Sequence, residues 1–276
     1  MFKINKDGFL PTIRRYNGKL VFQCSDDFSE IEVVDYAGDR SLHFGSPEKQ
    51  SAMNMKKPYM LVLSYTKAMM AGLLFMGSPR SVLNLGLGGG SLPKFLLHHF
   101  PDCKIDIVEL RPMVVQIAFD HFSLPKDPRL RIFINDAQDF LKQEITQCYD
   151  LILLDIFNKR GMVDLIGKSS FLQSCKNRLT EKGILVVNLW SKPDSSFKTI
   201  LTEINKVFDS QTLHLPVADR SNHIVFAMNH TLDRYPRSMI QKAAQRLNYT
   251  YKIDLPNLFL KIYTHKTGQD DKKADH

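Results

Sequence analysis

Short apolar runs separated by amphipathic segments dominate the chain from about residue 81 onward. Five runs predict buried strands at 81–85, 104–108, 130–135, 149–154 and 184–189, with apolar residues at helical spacing between most of them. Two more runs, 212–216 and 223–228, predict a closing strand pair. Because strands that alternate with helices form a parallel sheet covered on both faces, the pattern predicts an α/β fold with a doubly wound, mostly parallel, seven-stranded sheet.

Before residue 60 the pattern changes to hairpins. Asn17-Gly18 separates segments 12–16 and 19–23, and Asn-Gly is the preferred pair for a type I′ turn. Segments 30–36 and 40–44 flank a second turn at residues 37–39. We predict a small N-terminal antiparallel β-domain (residues 1–55, for assembly or as a lid), a nucleotide-binding domain (56–265) that opens with a helix over 60–75, and a disordered charged tail (266–276).

A glycine-rich loop follows the first strand of the central region. Gly86, Gly88, Gly89 and Gly90 allow a sharp turn and a close approach of the backbone to a ligand. Ser91 is a suitable N-cap for the helix that follows. The loop is neither the G-x-G-x-x-G of NAD enzymes nor a phosphate-binding P-loop, so it favours an adenosyl-sulfonium ligand over a phosphorylated one. Glycine turns also simply connect strands to helices, and that alternative stays open.

Acidic residues end three of the predicted strands. Glu109 closes the second strand, nineteen residues beyond Gly90, where a carboxylate can accept both hydroxyls of a ribose. Asp136 follows the third strand and Asp155 the fourth. Because the carboxyl ends of parallel strands share one edge of the sheet, we expect these acids to gather beside the glycine loop.

Composition narrows the classes of protein that need to be considered. The chain has 276 residues, 43% of them hydrophobic, which is enough for a sizeable core. The net charge is +8, but the basic residues are scattered, so we expect no nucleic-acid partner. Lys67 lies within the most apolar window of the chain. A lysine at the centre of a bilayer costs ~3 kcal/mol, so we expect no membrane span. The adjacent pair His98-His99 does not share a helical face, and we expect no metal site.

The order of these motifs resembles the spermidine synthases, which are aminopropyltransferases built on the class I methyltransferase fold. The resemblance covers roughly residues 23–228 and is most specific in the stretch NKRGMVDLIGKSSFLQSCKNRL after Asp155. It implies that the loop from Gly86 to Gly90 lines a nucleotide pocket, that Glu109 holds the ribose, and that Asp136-Ala137 faces the adenine. It also implies that Asp155 and Tyr65 are the catalytic pair.

The family's chemistry accounts for these two residue types. An acceptor amine is protonated in water, with a pKa near ~10, and must lose a proton before it can attack. Asp155 would accept that proton, and the hydroxyl of Tyr65 would position the amine. The alternatives are that Asp155 only caps a turn and that Tyr65 is a core aromatic. Trp190 would stack on a substrate or cover the sheet edge, and the sequence does not separate the two.

Several positions depart from the family's pattern. Gly89 stands where the family has an aspartate in its glycine loop, and Asn158 stands where it has a second aspartate after the catalytic one. A later tyrosine is absent from residues 216–220, and Asn188-Leu189-Trp190 replaces a glutamine-bearing motif. The nucleotide half of the site is therefore retained, whereas the half that grips a diamine is largely lost.

The resemblance implies a transferase that moves an aminopropyl group from decarboxylated S-adenosylmethionine to an amine acceptor. Two alternatives stay open: a methyltransferase that uses S-adenosylmethionine, and a non-catalytic nucleotide-binding protein. We expect the nucleoside to be a co-substrate rather than a tightly bound cofactor, a polyamine to be the acceptor, and the protein to form a homodimer. The four well-separated cysteines and an N-terminus without a signal-peptide pattern predict a cytoplasmic location.

Overall fold

The computed structural model describes residues 16–144, 147–158, 161–162, 164–191, 194–217 and 221–262. The strands are β1 Lys19–Ser25, β2 Glu30–Tyr36, β3 Asp39–His43, β4 Ser51–Asn54, β5 Ser81–Leu85, β6 Lys104–Glu109, β7 Leu130–Ile134, β8 Tyr149–Leu154, β9 Phe157–Asn158, β10 Gly161–Met162, β11 Leu179–Trp190, β12 Thr212–Pro216 and β13 Asn222–Met228. The helices are α1 Ser64–Met69, α2 Ser91–His99, α3 Pro112–His121, α4 Ala137–Lys142, α5 Ser169–Asn177, α6 Asp194–Val207, α7 Arg237–Tyr251 and α8 Leu255–Leu260.

The central sheet has seven strands in the order β12-β13-β11-β8-β5-β6-β7. The strands from β11 to β7 are parallel, whereas β13 runs antiparallel to both of its neighbours. This confirms the predicted doubly wound, mostly parallel sheet. The order places β5 between β6 and β8, so the glycine loop after β5 adjoins the ends of both neighbouring strands.

Both faces of this sheet are covered. Along β5, Val82 packs into a core cluster with helices α1, α2 and α7, while Leu83 and Leu85 pack into a second cluster with α4, α5 and α6. Alternate side chains of a strand point to opposite faces, so a run of apolar residues is the expected pattern for a strand buried on both sides.

Strands β1 to β4 form a separate antiparallel sheet that packs on α3. The contact combines a small apolar cluster, which includes Val33 and Phe122, with an ion pair at the start of α3. Arg111 donates to both carboxylate oxygens of Asp26, at 2.8 Å each, and its guanidinium lies 4.3 Å from the ring centre of Phe44. The N-terminal sheet is thereby fixed against α3.

Two local predictions were wrong. The single helix predicted over 60–75 is α1 followed by a 3-10 helix, Met70–Phe75. Gly72 of the 3-10 helix packs closely on the central sheet, where a Cβ would lie 3.0 Å from Val186. Ser91 is not an N-cap: Gly90, with φ +67°, holds that position, and the hydroxyl of Ser91 donates to the carbonyl of Ala52 at 3.1 Å. Ser91 therefore joins the glycine loop to β4.

Other expectations lie partly or wholly outside the described residues. Segment 12–15 of the first predicted hairpin and the tail 266–276 belong to this group. Within the described residues, β1 pairs with β2, and the second predicted hairpin is confirmed as β2 and β3. No helix in the described ranges is both long and apolar enough to cross a bilayer.

Candidate active site

A cavity of about 630 Å³ lies at the carboxyl ends of the parallel strands, partly covered by the N-terminal sheet. This is the edge at which open α/β sheets bind ligands. Seven of the nine predicted site residues line the cavity: Tyr65, Gly86, Gly88, Glu109, Asp136, Ala137 and Asp155. The strand-end acids therefore gather at one place, as the parallel topology requires.

The glycine loop is shaped by backbone angles that side chains rarely adopt. Gly86 and Gly88 have φ values of +91° and +53°, and Gly90 has +67°. A Cβ at Gly86 would overlap the backbone carbonyl oxygen of Asp155. Glycine is required at position 86 for two independent reasons, the left-handed conformation and the contact with the end of β8.

Gly89 and Gly90 do not line the cavity. A Cβ at Gly89 would lie 2.7 Å from Phe122 and 2.8 Å from the hydroxyl oxygen of Ser51, and one at Gly90 would lie 2.9 Å from Leu124. The space in front of Gly89 is therefore occupied by protein. A direct contact of these two residues with a ligand stays a prediction.

Glu109 is held rigidly at the end of β6. Its Oε2 accepts a hydrogen bond from the amide of Leu87 at 2.9 Å, and its Oε1 accepts one from the amide of Arg111 at 3.0 Å. Burial raises the pKa of Glu109 above its ordinary value, and these amide donors partly oppose that effect. An ionised carboxylate has about four lone-pair sites, so each oxygen retains acceptor capacity for a ribose hydroxyl.

Asp136 has a structural task that the sequence analysis did not assign. It is the N-cap of α4, and its Oδ1 accepts hydrogen bonds from the amides of Gln138 at 2.7 Å and Asp139 at 3.3 Å. Ala137 is the first residue of that helix and is almost fully buried. Both line the cavity, so the N-terminus of α4 forms the part of the wall beyond β7.

Asp155 and Tyr65 are in contact. Burial raises the pKa of Asp155 to about 6, and hydrogen bonds from Asn188 and Tyr65 act in the opposite direction. Asn188 Nδ2 donates to Asp155 Oδ1 at 2.8 Å, and the Tyr65 hydroxyl also lies 3.1 Å from the carbonyl oxygen of Gln50. A carboxylate with a pKa near 6 is ionised at neutral pH and basic enough to accept a proton.

The wall on the other side of Asp155 comes from β11 and β13. Asn222 Nδ2 donates to Asn188 Oδ1 at 2.9 Å, and Trp190 and Ser221 also line the cavity. The described part of this wall carries amides, a hydroxyl and an indole. Asn188 and Trp190 are noticeable in the sequence, whereas Ser221 and Asn222 carry no local signal and reach the site only because β13 pairs with β11.

The N-terminal sheet contributes the remaining wall, which the sequence analysis also missed. Phe28, Lys49, Gln50 and Ser51 line the cavity. The hydroxyls of Ser51 and Ser91 lie 3.2 Å apart, which fixes the start of β4 against the glycine loop. The only sequence signal was the resemblance, which extends into this region.

The histidine pair lies away from this cavity. The ring of His98 stacks on Tyr59, with ring centres 3.6 Å apart, and His99 packs against Phe95 and Tyr251. Burial lowers the pKa of His99 to about 4. Among the described residues, no group of three or more His, Cys, Asp or Glu side chains is arranged to hold a metal ion.

Comparison with known proteins identifies the family. The spermine/spermidine synthase domain model matches residues 63–230. A polyamine aminopropyltransferase of Neisseria meningitidis serogroup A is 32% identical over 229 residues, which cover 82% of this chain and 86% of the relative. Such relatives are transferases by name.

Two solved structures have the same fold. Human methyltransferase-like protein 13 in complex with SAH has a TM-score of 0.64 and 27% identity, covering 76% of this chain and 97% of that one. A spermidine synthase in complex with the transition state analogue AdoDATO has a TM-score of 0.69 and 18% identity, covering 87% of this chain and 84% of that one. The two structures show the fold, and the family model together with the 32% identical relative shows that the chain belongs to the spermine/spermidine synthase family.

Proposed function

We propose that the protein transfers an alkyl group from an S-adenosyl sulfonium nucleoside to an amine acceptor. The observation that carries this proposal is the position of Asp155. It contacts Tyr65 on one side and, through its backbone, the glycine loop at Gly86 on the other. A base placed against a nucleoside loop is what such a transfer requires, because donor carbon and acceptor nitrogen must meet there.

The residues divide the task. Glu109 would hold the ribose hydroxyls, and the start of α4 at Asp136-Ala137 would face the adenine. Tyr65 would orient the amine while Asp155 accepts its proton. The amine lone pair then forms the new C–N bond, the C–S bond breaks, and its electron pair returns to sulfur as a neutral thioether.

The relatives support aminopropyl transfer from decarboxylated S-adenosylmethionine as the specific form of this reaction. Methyl transfer from S-adenosylmethionine is the second candidate. One observation favours it: Gly89 replaces the family's aspartate, and Phe122 and Ser51 occupy the adjoining space. The described acceptor wall, which consists of Asn188, Ser221 and Asn222, offers amide and hydroxyl groups to the acceptor.

The proposal is tested by incubating the protein with each donor in turn and with a panel of polyamines and monoamines, and by identifying the nucleoside product. Methylthioadenosine from the decarboxylated donor indicates aminopropyl transfer, and S-adenosylhomocysteine from S-adenosylmethionine indicates methyl transfer. Binding of methylthioadenosine without turnover of any pair would favour the non-catalytic alternative. Failure to bind any of these nucleosides would refute the proposal.

A further inference from the structure

The side chain of Asn84 presents a buried acceptor atom to the cavity. Asn84 is 1% exposed, and its Nδ2 donates to the carbonyl oxygen of Gly86, which fixes the orientation of the amide. Its Oδ1 is buried, and no described residue donates to it. Since an unsatisfied buried acceptor is unfavourable, a ligand that offers an N–H group here would bind with an advantage.

Asn84 lies on the same face of the sheet as the catalytic pair. It pairs with Leu153 of β8, two residues before Asp155, and alternate residues share a face. Asn84, Tyr65 and Asp155 all line the cavity. The acceptor oxygen of Asn84 is therefore placed beneath the glycine loop, on the side from which the reacting groups must approach.

A cation lies at the same end of the cavity. Lys49 is exposed, lines the cavity and makes no ion pair with any described residue. The next residue, Gln50, has its carbonyl oxygen 4.0 Å from the place of a Cβ at Gly88, so this segment adjoins the glycine loop. The other cation in the lining, Arg111, is engaged with Asp26.

An acidic side chain at position 89 would require its neighbours to move. The backbone angle at Gly89 is ordinary, but Phe122 and Ser51 lie within 3 Å of the place of a Cβ. The glycine loop therefore offers no carboxylate to an ammonium group, and it offers no repulsion to a carboxylate. Lys49 adds an attraction for a carboxylate, which the exposed acids Asp27 and Glu48 of the same lining partly oppose.

We infer that this end of the cavity binds the amino-acid head of undecarboxylated S-adenosylmethionine, with Asn84 Oδ1 accepting from its α-ammonium and Lys49 pairing with its α-carboxylate. The inference rests on the proposed function and narrows it, because this donor favours methyl transfer over aminopropyl transfer. Both ligand contacts involve only the head group, whereas the hydrogen bond from Asn84 to the carbonyl oxygen of Gly86 belongs to the glycine loop.

The test is calorimetric binding of three ligands to wild type and variants. Methylthioadenosine lacks the head, decarboxylated S-adenosylmethionine has the ammonium only, and S-adenosylmethionine has both groups. Wild type is expected to bind S-adenosylmethionine at least as tightly as the decarboxylated compound. Lys49→Ala should weaken only S-adenosylmethionine, by about 5-fold as for a partly exposed ion pair, and Lys49→Glu should weaken it further. Lys57→Glu, at an exposed lysine outside the cavity, is the matched control.

Asn84→Leu tests the second contact. It should weaken both sulfonium donors by about 10-fold more than methylthioadenosine, because only the donors lose a hydrogen bond to a charged group. The change in methylthioadenosine affinity measures the loss of the Asn84 contact with Gly86. A wild type that prefers the decarboxylated donor by a hundredfold would overturn the inference while leaving the proposed function intact. Equal loss of all three ligands in Lys49→Ala would also overturn it. Absence of methylthioadenosine binding in wild type would refute the proposed function as well.

Discussion

Asn188 donates its side-chain amide to Asp155 across the boundary between β11 and β8, at 2.8 Å. The amide oxygen of Asn188 in turn accepts from Asn222, which sets the direction of both hydrogen bonds. A neutral donor stabilises the carboxylate without the strong effect of a lysine or arginine. Asp155 is thus kept ionisable in a buried site, with its pKa raised to about 6 rather than lowered by a salt bridge.

The first prediction concerns turnover. Since Asp155 must be ionised to accept a proton, kcat/KM of wild type should rise with pH through about 6. Asp155→Asn should lower turnover by ~10²–10⁴ and remove this rise, while methylthioadenosine affinity stays nearly unchanged. Asp139→Asn, at an exposed residue of α4, is the control. Equal activity in Asp155→Asn would assign the residue to structure only.

The same substitution, Asp155→Asn, should lower turnover but increase the stability of the folded protein. An acid whose pKa is raised on folding, from 3.8 to about 6, makes the folded state less stable as pH rises through that window. Asp155→Asn removes this effect, so the variant should be more stable than wild type at pH 7 by about 1–3 kcal/mol. At pH 3.5 the difference should vanish. Denaturant unfolding at both pH values measures it, and an equal difference at the two would argue against a raised pKa.

Asn188 is expected to act through Asp155. Asn188→Ala removes a hydrogen bond that lowers the pKa of Asp155, so the acidic limb of the kcat/KM profile should move upward by about one pH unit. Asn222→Ala should move this limb less, because the hydrogen bond from Asn222 goes to Asn188 rather than to Asp155. A loss of activity without any movement of the limb would indicate a structural role instead.

Glu109 should determine affinity for the adenosine half. Glu109→Ala removes the acceptor for the ribose hydroxyls and should weaken methylthioadenosine by about 2–4 kcal/mol. The substitution also frees the amides of Leu87 and Arg111, so Glu109→Gln, which preserves the size of the side chain, should be measured beside it. Calorimetry gives the affinity and circular dichroism checks the fold. Unchanged affinity in both variants would exclude Glu109 from the site.

The ion pair between Arg111 and Asp26 should support both the fold and the cavity wall. Burial alone would raise the pKa of Asp26, but hydrogen bonds from Arg111 and from two backbone amides lower it overall. Such a depressed pKa contributes stability above pH 4 that is lost as the pH falls further. Arg111→Ala should cost about 2–4 kcal/mol at pH 7 and less at pH 3. Arg129→Ala, at a pair distant from the N-terminal sheet, should leave nucleoside affinity unaltered.

Patterns of apolar and polar residues along the chain predicted the strands and helices, because these elements depend mainly on residues that are close in sequence. The strands before Gly86 and Asp155 follow from apolar runs, and the gathering of Glu109, Asp136 and Asp155 follows from parallel topology alone. Asp136 both lines the cavity and caps α4, and its position directly before a helix would have been enough to predict the N-cap.

The rest depended on contacts between distant segments. Asn222 reaches Asn188 only through the register of β13 on β11, which no local pattern specifies. The orphaned oxygen of Asn84 is invisible in the sequence, because an asparagine in an apolar strand is equally compatible with a fully paired side chain. The closed space at Gly89 likewise depends on Phe122, which is 33 positions away in the chain.

The contact between Gly86 and the backbone of Asp155 has an evolutionary consequence. Because the glycine loop and Asp155 touch through main-chain atoms, a shift of one would displace the other, so we expect changes of specificity to arise elsewhere. The ends of β11 and β13 offer that freedom, since Trp190 and Ser221 belong to chain segments outside this contact. Acceptor specificity would then change at the ends of β11 and β13 while the contact between Gly86 and Asp155 is kept. Altered acceptors should therefore be sought in libraries randomised at Trp190, Ser221 and Asn222.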